Sequence, residues 1–185
     1  MLILISTLFI LFIIAAIMSV ALGLDSMLRG HDIPTNKSVI NKMIQVIEKH
    51  NCQEKTFLDL GCARGVVALA IKKHFPKMNV SGVELYRLRV YFARAKAFFL
   101  RRDISLIIGD ALKQDVSKAD IVFCYLWYDL MPALEKKLLD ELKTGAIVIT
   151  NTSKFPNWVP LEIVRAQHSN TVVPDHDTLF VYQRQ

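Results

Sequence analysis

The sequence predicts an α/β fold: a mostly parallel, seven-stranded, doubly wound sheet ending in an antiparallel hairpin, with a transmembrane helix in front of it. Three observations lead there. Residues 2 to 24 form an uncharged apolar run. Strand-like and helix-like segments then alternate from residue 57 to residue 150, which demands crossover connections and so a parallel sheet. The last two strand-like runs are joined only by a polar loop, which makes them a hairpin.

The opening run, LILISTLFILFIIAAIMSVALGL from Leu2 to Leu24, reaches about 33 Å as a helix at 1.5 Å per residue, enough to cross a hydrocarbon core. Of residues 1 to 24, 20 are apolar, and the remaining 161 hold roughly 47% apolar residues, an ordinary globular value. The 52% of the whole chain is therefore a local excess. Ser19, Ala21 and Gly23 are small enough for a signal-peptide cleavage site, but a positive n-region is missing and the run exceeds an h-region. Nor is it an Arg-rich, Ser-rich transit peptide, though it can serve as an uncleaved targeting signal. Only the free amine precedes it, whereas Arg29, Lys37, Lys42 and Lys49 follow, diluted by Asp25 and Asp32. The positive-inside rule then puts the remainder on the cytoplasmic side, or the matrix side in an organelle. The expected organisation is an anchor over 1–24, a connector over 25–34 and one domain over 35–185.

Within that domain, Thr35 caps a helix whose apolar positions Val39, Ile40, Met43, Ile44 and Ile47 recur at helical spacing, with Asn51 closing it. Strands are expected at residues 57–60, 79–84, 104–108, 120–125 and 146–150. Helices fall between them at 66–74, 85–100 and 132–142, the last opening on Pro132 and ending at Lys143-Thr144-Gly145. The closing hairpin pairs 161–167 with 178–183 around Pro174 and Asp175. No repeat or low-complexity segment interrupts the order.

Charge and cysteine content exclude several classes. Cys52, Cys62 and Cys124 are spaced for neither a disulfide scaffold nor a zinc site and fit a reducing compartment. The five histidines show no ligand spacing, and Asp175-His176-Asp177 reads as a polar loop, so no metal is expected. The net charge of +6 equals the six basic residues between 86 and 102 (Arg87, Arg89, Arg94, Lys96, Arg101, Arg102), a stretch without an acid. A nucleic-acid binder spreads its patch over several elements, so no nucleic-acid partner is expected. In this stretch Leu88, Tyr91, Phe92, Ala95, Phe98 and Phe99 mark an apolar face expected to pack on the core, with Arg87, Arg89, Arg94, Lys96 and Arg101 on a solvated one. Beside a membrane anchor, those cations can also rest on an anionic leaflet, each contributing about 1 kcal/mol.

The chemistry is expected at the carboxyl ends of the strands. The first strand runs through Leu58-Asp59-Leu60-Gly61-Cys62-Ala63-Arg64-Gly65 directly into a helix, and glycine there lets the backbone turn and approach a ligand. Glu84 ends the second strand, placed to accept both hydroxyls of a ribose, and Gly109-Asp110-Ala111 follows the third. Two strand-end carboxylates suit a nucleoside with a cationic or neutral tail better than a pyrophosphate. Gly61 to Gly65 is also G-x-x-x-G, with Ala63 where a dinucleotide fingerprint has its middle glycine.

FLDLGCARG, the strand-end Glu84 and GDA at 109–111 resemble the cofactor motifs of class I S-adenosylmethionine-dependent methyltransferases. The resemblance implies a Rossmann-like seven-stranded methyltransferase sheet with S-adenosyl-L-methionine as cofactor. Asp59, Gly61 and Gly65 would hold its methionine moiety, Glu84 its ribose, and Asp110 would face its adenine, with Leu60, Cys62 and Ala111 also binding the cofactor. Ala63 departs from the usual glycine, which implies an adjusted loop. More narrowly, the hydrophobic leader, HDIPT before the first domain helix, VFCYL and FPNWVP are similar to the membrane-associated protein lysine methyltransferases that act on adenine nucleotide translocase and the ATP synthase c protein, and to their prokaryotic relatives. That similarity implies Pro34 and Thr35 over the cofactor pocket, and Phe155, Pro156 and Trp158 lining an acceptor channel.

A lysine acceptor, with a reference pKa of about 10.4, has to lose its proton or its water before attack. Tyr125, Trp127, Tyr128 and Asp129, after the fourth strand, combine ring faces with a carboxylate and can hold a cationic amine, so Tyr125, Trp127 and Asp129 are the catalytic candidates. The alternative role of Trp127 and Tyr128 is to cover the sheet edge. No Asn/Asp-Pro-Pro-Tyr motif is present, against adenine-N6 or glutamine methylation. The expected function is a membrane-anchored methyltransferase acting on a lysine of a membrane or membrane-adjacent protein. Its alternatives are a lipid or quinone methyltransferase and a non-catalytic nucleoside-binding membrane module.

Overall fold

A computed structural model describes residues 2–28, 33–165 and 178–185. They belong to two compact units, Met1–Ile33 and Pro34–Gln185. The first contains helix α1 (Leu2–Leu28), which continues past Leu24 because neither Gly23 nor Asp25 interrupts its backbone hydrogen bonding. Its Leu4–Asp25 stretch, 22 residues, is long and apolar enough to cross a membrane. Leu8, Phe9, Leu11, Phe12, Ile14 and Ile17 are all exposed, so apolar side chains are spread around the helix rather than gathered on one face.

The second unit orders its elements α2 (Lys37–Lys49), β1 (Thr56–Leu60), α3 (Val66–His74), β2 (Asn79–Glu84), α4 (Arg87–Phe99), β3 (Ser105–Ile108), β4 (Ile121–Cys124), α5 (Met131–Glu141), β5 (Ile147–Asn151), β6 (Glu162–Arg165) and β7 (Thr178–Gln183). The seven strands form one sheet in the order β3-β2-β1-β4-β5-β7-β6. β1 to β5 run parallel to one another, while β7 runs antiparallel to both β5 and β6. This is the mixed sheet with a C-terminal hairpin that the alternation predicts. The hairpin's connection, with Pro174 and Asp175-His176-Asp177, lies outside the described residues, as do residues 166 and 167 of the expected 161–167 strand.

Both sheet faces are covered, which is why β4 and β5 are buried along their whole length. On one face Phe57, Val80, Ile121, Phe123, Ile147, Ile149 and Val181 pack with Val39, Met43 and Ile47 of α2 and Val67 and Ile71 of α3. On the other, Leu58, Leu60, Val122, Val148 and Tyr182 pack with Met131, Leu134 and Leu138 of α5. Strand alternation therefore puts Asp59 on the face of Phe57, and Gly82 and Glu84 on the face of Val80, the side that carries α3.

Helix α2 starts one residue later than the expected cap. Asn36, not Thr35, accepts the Ser38 amide, at 3.2 Å, consistent with the stronger capping preference of Asn. Asn51 closes it in a left-handed conformation (φ 53°), with Asn51 and Cys52 amides donating to Glu48 and Ile47 carbonyls at 3.0 and 3.1 Å, a Schellman arrangement. Residues 128–130, unassigned from sequence, form one 3₁₀ turn. Tyr125 falls just beyond β4 rather than within it.

The largest correction concerns α4. Its buried residues are Arg89, Val90, Ala93 and Ala97, whereas Tyr91, Phe98 and Phe99, expected in the core, are exposed. The reason is distance. A Cβ added at Gly65 would lie 3.2 Å from Ala93 Cβ, so the helix runs too close to the β1–α3 turn for a ring at that position. Val90 and Ala93 pack with Cys62 and Leu106. Arg89, expected in solvent, is buried with its guanidinium 4.8 Å from the centre of the Tyr86 ring.

Helix α4 also ends in a Schellman arrangement, with the Arg102 amide donating to Ala97 at 2.9 Å and Arg101 in the left-handed region at φ 51°. A side chain there costs about 1–2 kcal/mol, against about 0.4–1 kcal/mol of extra chain entropy for glycine. Arg101→Gly is expected to stabilise the protein by about 0.5–1 kcal/mol, read as a rise of about 1–4 °C in the thermal unfolding of the full chain. A fall in Tm would show that this position does not hold the left-handed turn.

Candidate active site

The strand order reverses between β1 and β4, the switch point beyond which ligands of such sheets bind. The β1–α3 turn lies there. It passes through three left-handed residues, Gly61 (φ 78°), Ala63 (φ 46°) and Gly65 (φ 69°), and Gly65 occupies the N-cap of α3. Glycine meets the first and third at little cost, while Ala63 carries about 1–2 kcal/mol of strain. This is the adjustment its departure from glycine implies.

The turn is fixed from β2. The Gly61 and Cys62 amides both donate to the Val83 carbonyl, at 2.8 and 2.9 Å, and the Gly65 amide returns to Cys62 O at 2.7 Å. Glu84, almost fully buried, accepts the Ala63 amide on Oε2 at 3.0 Å and the Tyr86 amide on Oε1 at 2.9 Å. Each oxygen keeps a second lone pair, so Glu84 can still accept a diol while it holds the strained residue in place. The Gly109 amide donates to Glu84 O at 3.0 Å, which brings the β3 end alongside. There Asp110 Oδ1 takes the Leu112 amide at 2.9 Å, and Ala111 packs against the α5-side core.

Asp59 lies behind the turn, 2% exposed, and its Oδ2 has no hydrogen-bond partner among the described residues. Burial pushes its carboxyl up to about 7; the Ala68 amide of α3 partly offsets this and nearby Glu84 reinforces it. Leu60 is a core residue, and Cys62 points into the small cluster under α4. The residue without a sequence-level assignment is Gly82. A Cβ there would lie 2.7 Å from Cys62 Sγ and 2.9 Å from Cys62 Cβ, so the turn rests on a missing side chain of β2. A glycine inside a strand signals such an approach. Leu126, 2.5 Å from a Cβ added at Gly61, closes the turn from the β4 side.

On the acceptor side, Tyr125 is half-buried against the core, whereas Trp127 (57% exposed), Tyr128 (78%) and Asp129 stand in solvent around the 3₁₀ turn. The structure thus gathers the acceptor candidates in one open loop beyond β4, next to β1. Thr35 is buried and Pro34 exposed just before α2. Phe155 is buried in the core, 4.9 Å from Tyr182 and 5.6 Å from Trp158 between ring centres, and its amide donates to Tyr182 Oη at 3.0 Å. Its packing is thus against those rings, while Pro156 is exposed. The buried Glu135 of α5 accepts the Asn157 amide at 3.1 Å and pins this segment, a restraint without a sequence signal.

An orphaned buried carboxylate oxygen, strand-end acceptors at Glu84 and Asp110, and a turn without Cβ atoms at 61 and 65 together fit a nucleoside carrying a cationic tail. Similarity to known proteins decides between cofactors. A family model for the ANTKMT methyltransferase domain matches residues 59–162, more than half of the chain. The chain belongs to this family. It is an S-adenosylmethionine-dependent methyltransferase, which sets aside the non-catalytic module. A curated relative from Saccharolobus islandicus, a protein-lysine N-methyltransferase, is 26% identical over 81% of this chain and 91% of its own. A lysine N-methyltransferase of the ATP synthase c protein, from Xenopus laevis, is 27% identical over 72% of this chain, which spans 59% of that relative's length. Among solved structures, an RNA methyltransferase from Salinibacter ruber in complex with S-adenosyl-L-homocysteine superposes with TM-score 0.72 at 22% identity, covering 82% of this chain and 93% of its own, a likeness of fold.

Two outcomes follow from this geometry. Gly82→Ala is expected to displace Cys62 and weaken S-adenosylhomocysteine binding about tenfold or more by calorimetry, with partial recovery in the Gly82→Ala/Cys62→Gly pair. Unchanged affinity would mean that the turn does not depend on this contact. Because the folded carboxyl of Asp59 binds its proton up to about pH 7 and the unfolded one only to its ordinary value of 3.8, its stabilising contribution is complete below 3.8 and lost as pH rises through 7. Asp59→Asn should abolish that decline in denaturant titrations from pH 4 to 8.

Proposed function

We propose that the protein is a membrane-anchored lysine methyltransferase whose acceptor is a lysine of a membrane-embedded or membrane-adjacent protein, and that residues 125–129 receive the acceptor amine. The observation that carries the acceptor class is the alignment of nearly the whole domain with a relative named as a protein-lysine N-methyltransferase. The membrane reading is supported by the exposed apolar Leu4–Asp25 helix.

When bound, the cofactor supplies a methyl group already activated by its sulfonium, so the chain has to supply alignment and an amine free of its proton. Asp59, Gly61, Gly65, Glu84 and Asp110 hold the cofactor ends. Trp127 and Tyr128 offer ring faces, and Asp129 a carboxylate, to a lysine ammonium. These groups stand in water, so they do not desolvate the amine by themselves; the docked substrate completes the enclosure and lets the ammonium lose its proton. An acceptor site open in this way needs its substrate presented, and confinement of both to one bilayer raises their effective concentration.

Tritiated S-adenosylmethionine supplied to native membranes with the full chain is expected to label protein, with the label recovered as methyl-lysine after hydrolysis. Label in the organic extract would overturn the lysine acceptor in favour of a lipid or quinone. Loss of the full chain from the membrane pellet in alkaline carbonate would overturn the anchor. Trp127→Ala is expected to lower kcat/KM about tenfold, the scale of a desolvated cation–π contact, with S-adenosylhomocysteine affinity unchanged.

A further inference from the structure

The outer half of α4 has an unusual composition. From Tyr86 to Arg102 the chain contains only aromatic, aliphatic and basic residues, with no acid, amide or hydroxyl-bearing side chain apart from the tyrosines. In the structure Phe98 and Phe99 are each 79% exposed, and Tyr91 and Leu100 about half exposed. Arg87, Arg94 and Arg101 are exposed among them, and Lys96 and Arg102 partly so. At 100° per residue, Arg94, Arg87, Phe98, Tyr91, Ala95 and Phe99 follow one another around the arc opposite Val90, Ala93 and Ala97, so rings and cations share one face. Arg94 lies 6.0 Å from the centre of the Tyr91 ring, and its Nη2 donates to the Leu106 carbonyl at 2.5 Å, which leaves its other guanidinium N–H groups to face outward. The nearest acid in sequence, Asp103, sits beyond the helix end.

We propose that this face of α4 is a lipid-docking surface, resting on an anionic bilayer with Phe98, Phe99 and Tyr91 in the interfacial layer and Arg87, Arg94, Lys96 and Arg101 on lipid phosphates. The composition selects the occupant. The rim of a protein interface mixes donors with acceptors, and apart from tyrosine hydroxyls the side chains of this face offer donors alone, which suit a layer of phosphate acceptors; an interfacial helix needs basic residues among Phe and Leu. Charge complementarity points to an anionic leaflet. The chain further carries a helix able to span a bilayer, and eight residues separate Asp25 from Pro34 in sequence. Ala93 meets Gly65 closely and so sets which face of α4 turns to the sheet; Tyr91, Phe98 and Phe99 lie on the opposite one. Two contacts, span and α4, would fix the tilt of the catalytic domain where a single tether leaves it free.

The inference rests on the anchor proposed above, and the test reports the two separately. Cys52, Cys62 and Cys124 are free but buried, so one added exposed cysteine takes an environment-sensitive NBD label. Full chains labelled at Ala95→Cys on the α4 face, at Asp140→Cys on exposed α5, or at Phe12→Cys in α1 are reconstituted in phosphatidylcholine vesicles with or without phosphatidylglycerol and nitroxide lipids. Position 95 is expected to shift to the blue and to be quenched about twofold more than position 140 in anionic vesicles. The excess should disappear in 1 M salt, where the screening length falls to about 3 Å, and in a Phe98→Ser/Phe99→Ser chain. A water-like signal at 95 with position 12 quenched overturns the surface and leaves the anchor; an unquenched position 12 overturns the anchor. A blue shift at 95 without nitroxide quenching, equal in neutral vesicles, would mean that a second copy covers the face and would also overturn the proposal.

Discussion

The turn between β1 and α3 holds its shape because β2 gives way to it at one residue and grips it at the next two. Gly82 leaves the space that Cys62 fills, Val83 accepts the amides of Gly61 and Cys62, and Glu84 takes the amide of Ala63. A bond to a buried carboxylate is among the stronger hydrogen bonds, typically about 1.5–3 kcal/mol, which is enough to offset the strain of Ala63. A side chain that reads as a nucleoside ligand is thus also the restraint that shapes the loop meeting the nucleoside. Removing it affects both at once.

That restraint propagates outward. With Cys62 seated under α4 and Gly65 against Ala93, the helix has to approach on small residues. With that face inward, helical geometry turns Phe98 and Phe99 outward. The cofactor turn and the aromatic outer face of α4 are therefore two consequences of one close contact. The other sheet face is restrained differently: Tyr182 holds the Phe155 amide and Glu135 the Asn157 amide, so the segment after β5 is ordered by two buried polar groups, and the hairpin is secured to the core through Tyr182.

The proposed acceptor side contrasts with both. Trp127, Tyr128 and Asp129 lie on a single 3₁₀ turn in water, while the cofactor side is buried and cross-linked by amides. A domain of this size spends its interior on one preorganised half-site and leaves the other half to be completed by what docks there. Enclosure by a partner removes water from that side, and this desolvation lowers the pKa of an ammonium and favours release of its proton.

The sequence alone determined the sheet, its hairpin and the strand-end positions of Asp59, Gly61, Gly65, Glu84 and Asp110, because these follow from period, glycine placement and alternation, all local quantities. It also determined the apolar amino-terminal helix, read from the uncharged run between Leu2 and Leu24. Only the tertiary structure decided which face of α4 is buried. Periodicity orders positions by hydrophobicity, but packing orders them by the distance to Gly65, and Ala93 and Ala97 won over larger rings. Nor does sequence reveal that Gly82 is the seat of Cys62, that Asn36 rather than Thr35 caps α2, or that Phe155 is held by Tyr182 from twenty-seven residues away. Each of these is a contact between segments distant in the chain or a competition between adjacent caps, and its energy exists only once the backbone has brought the partners within a few ångströms.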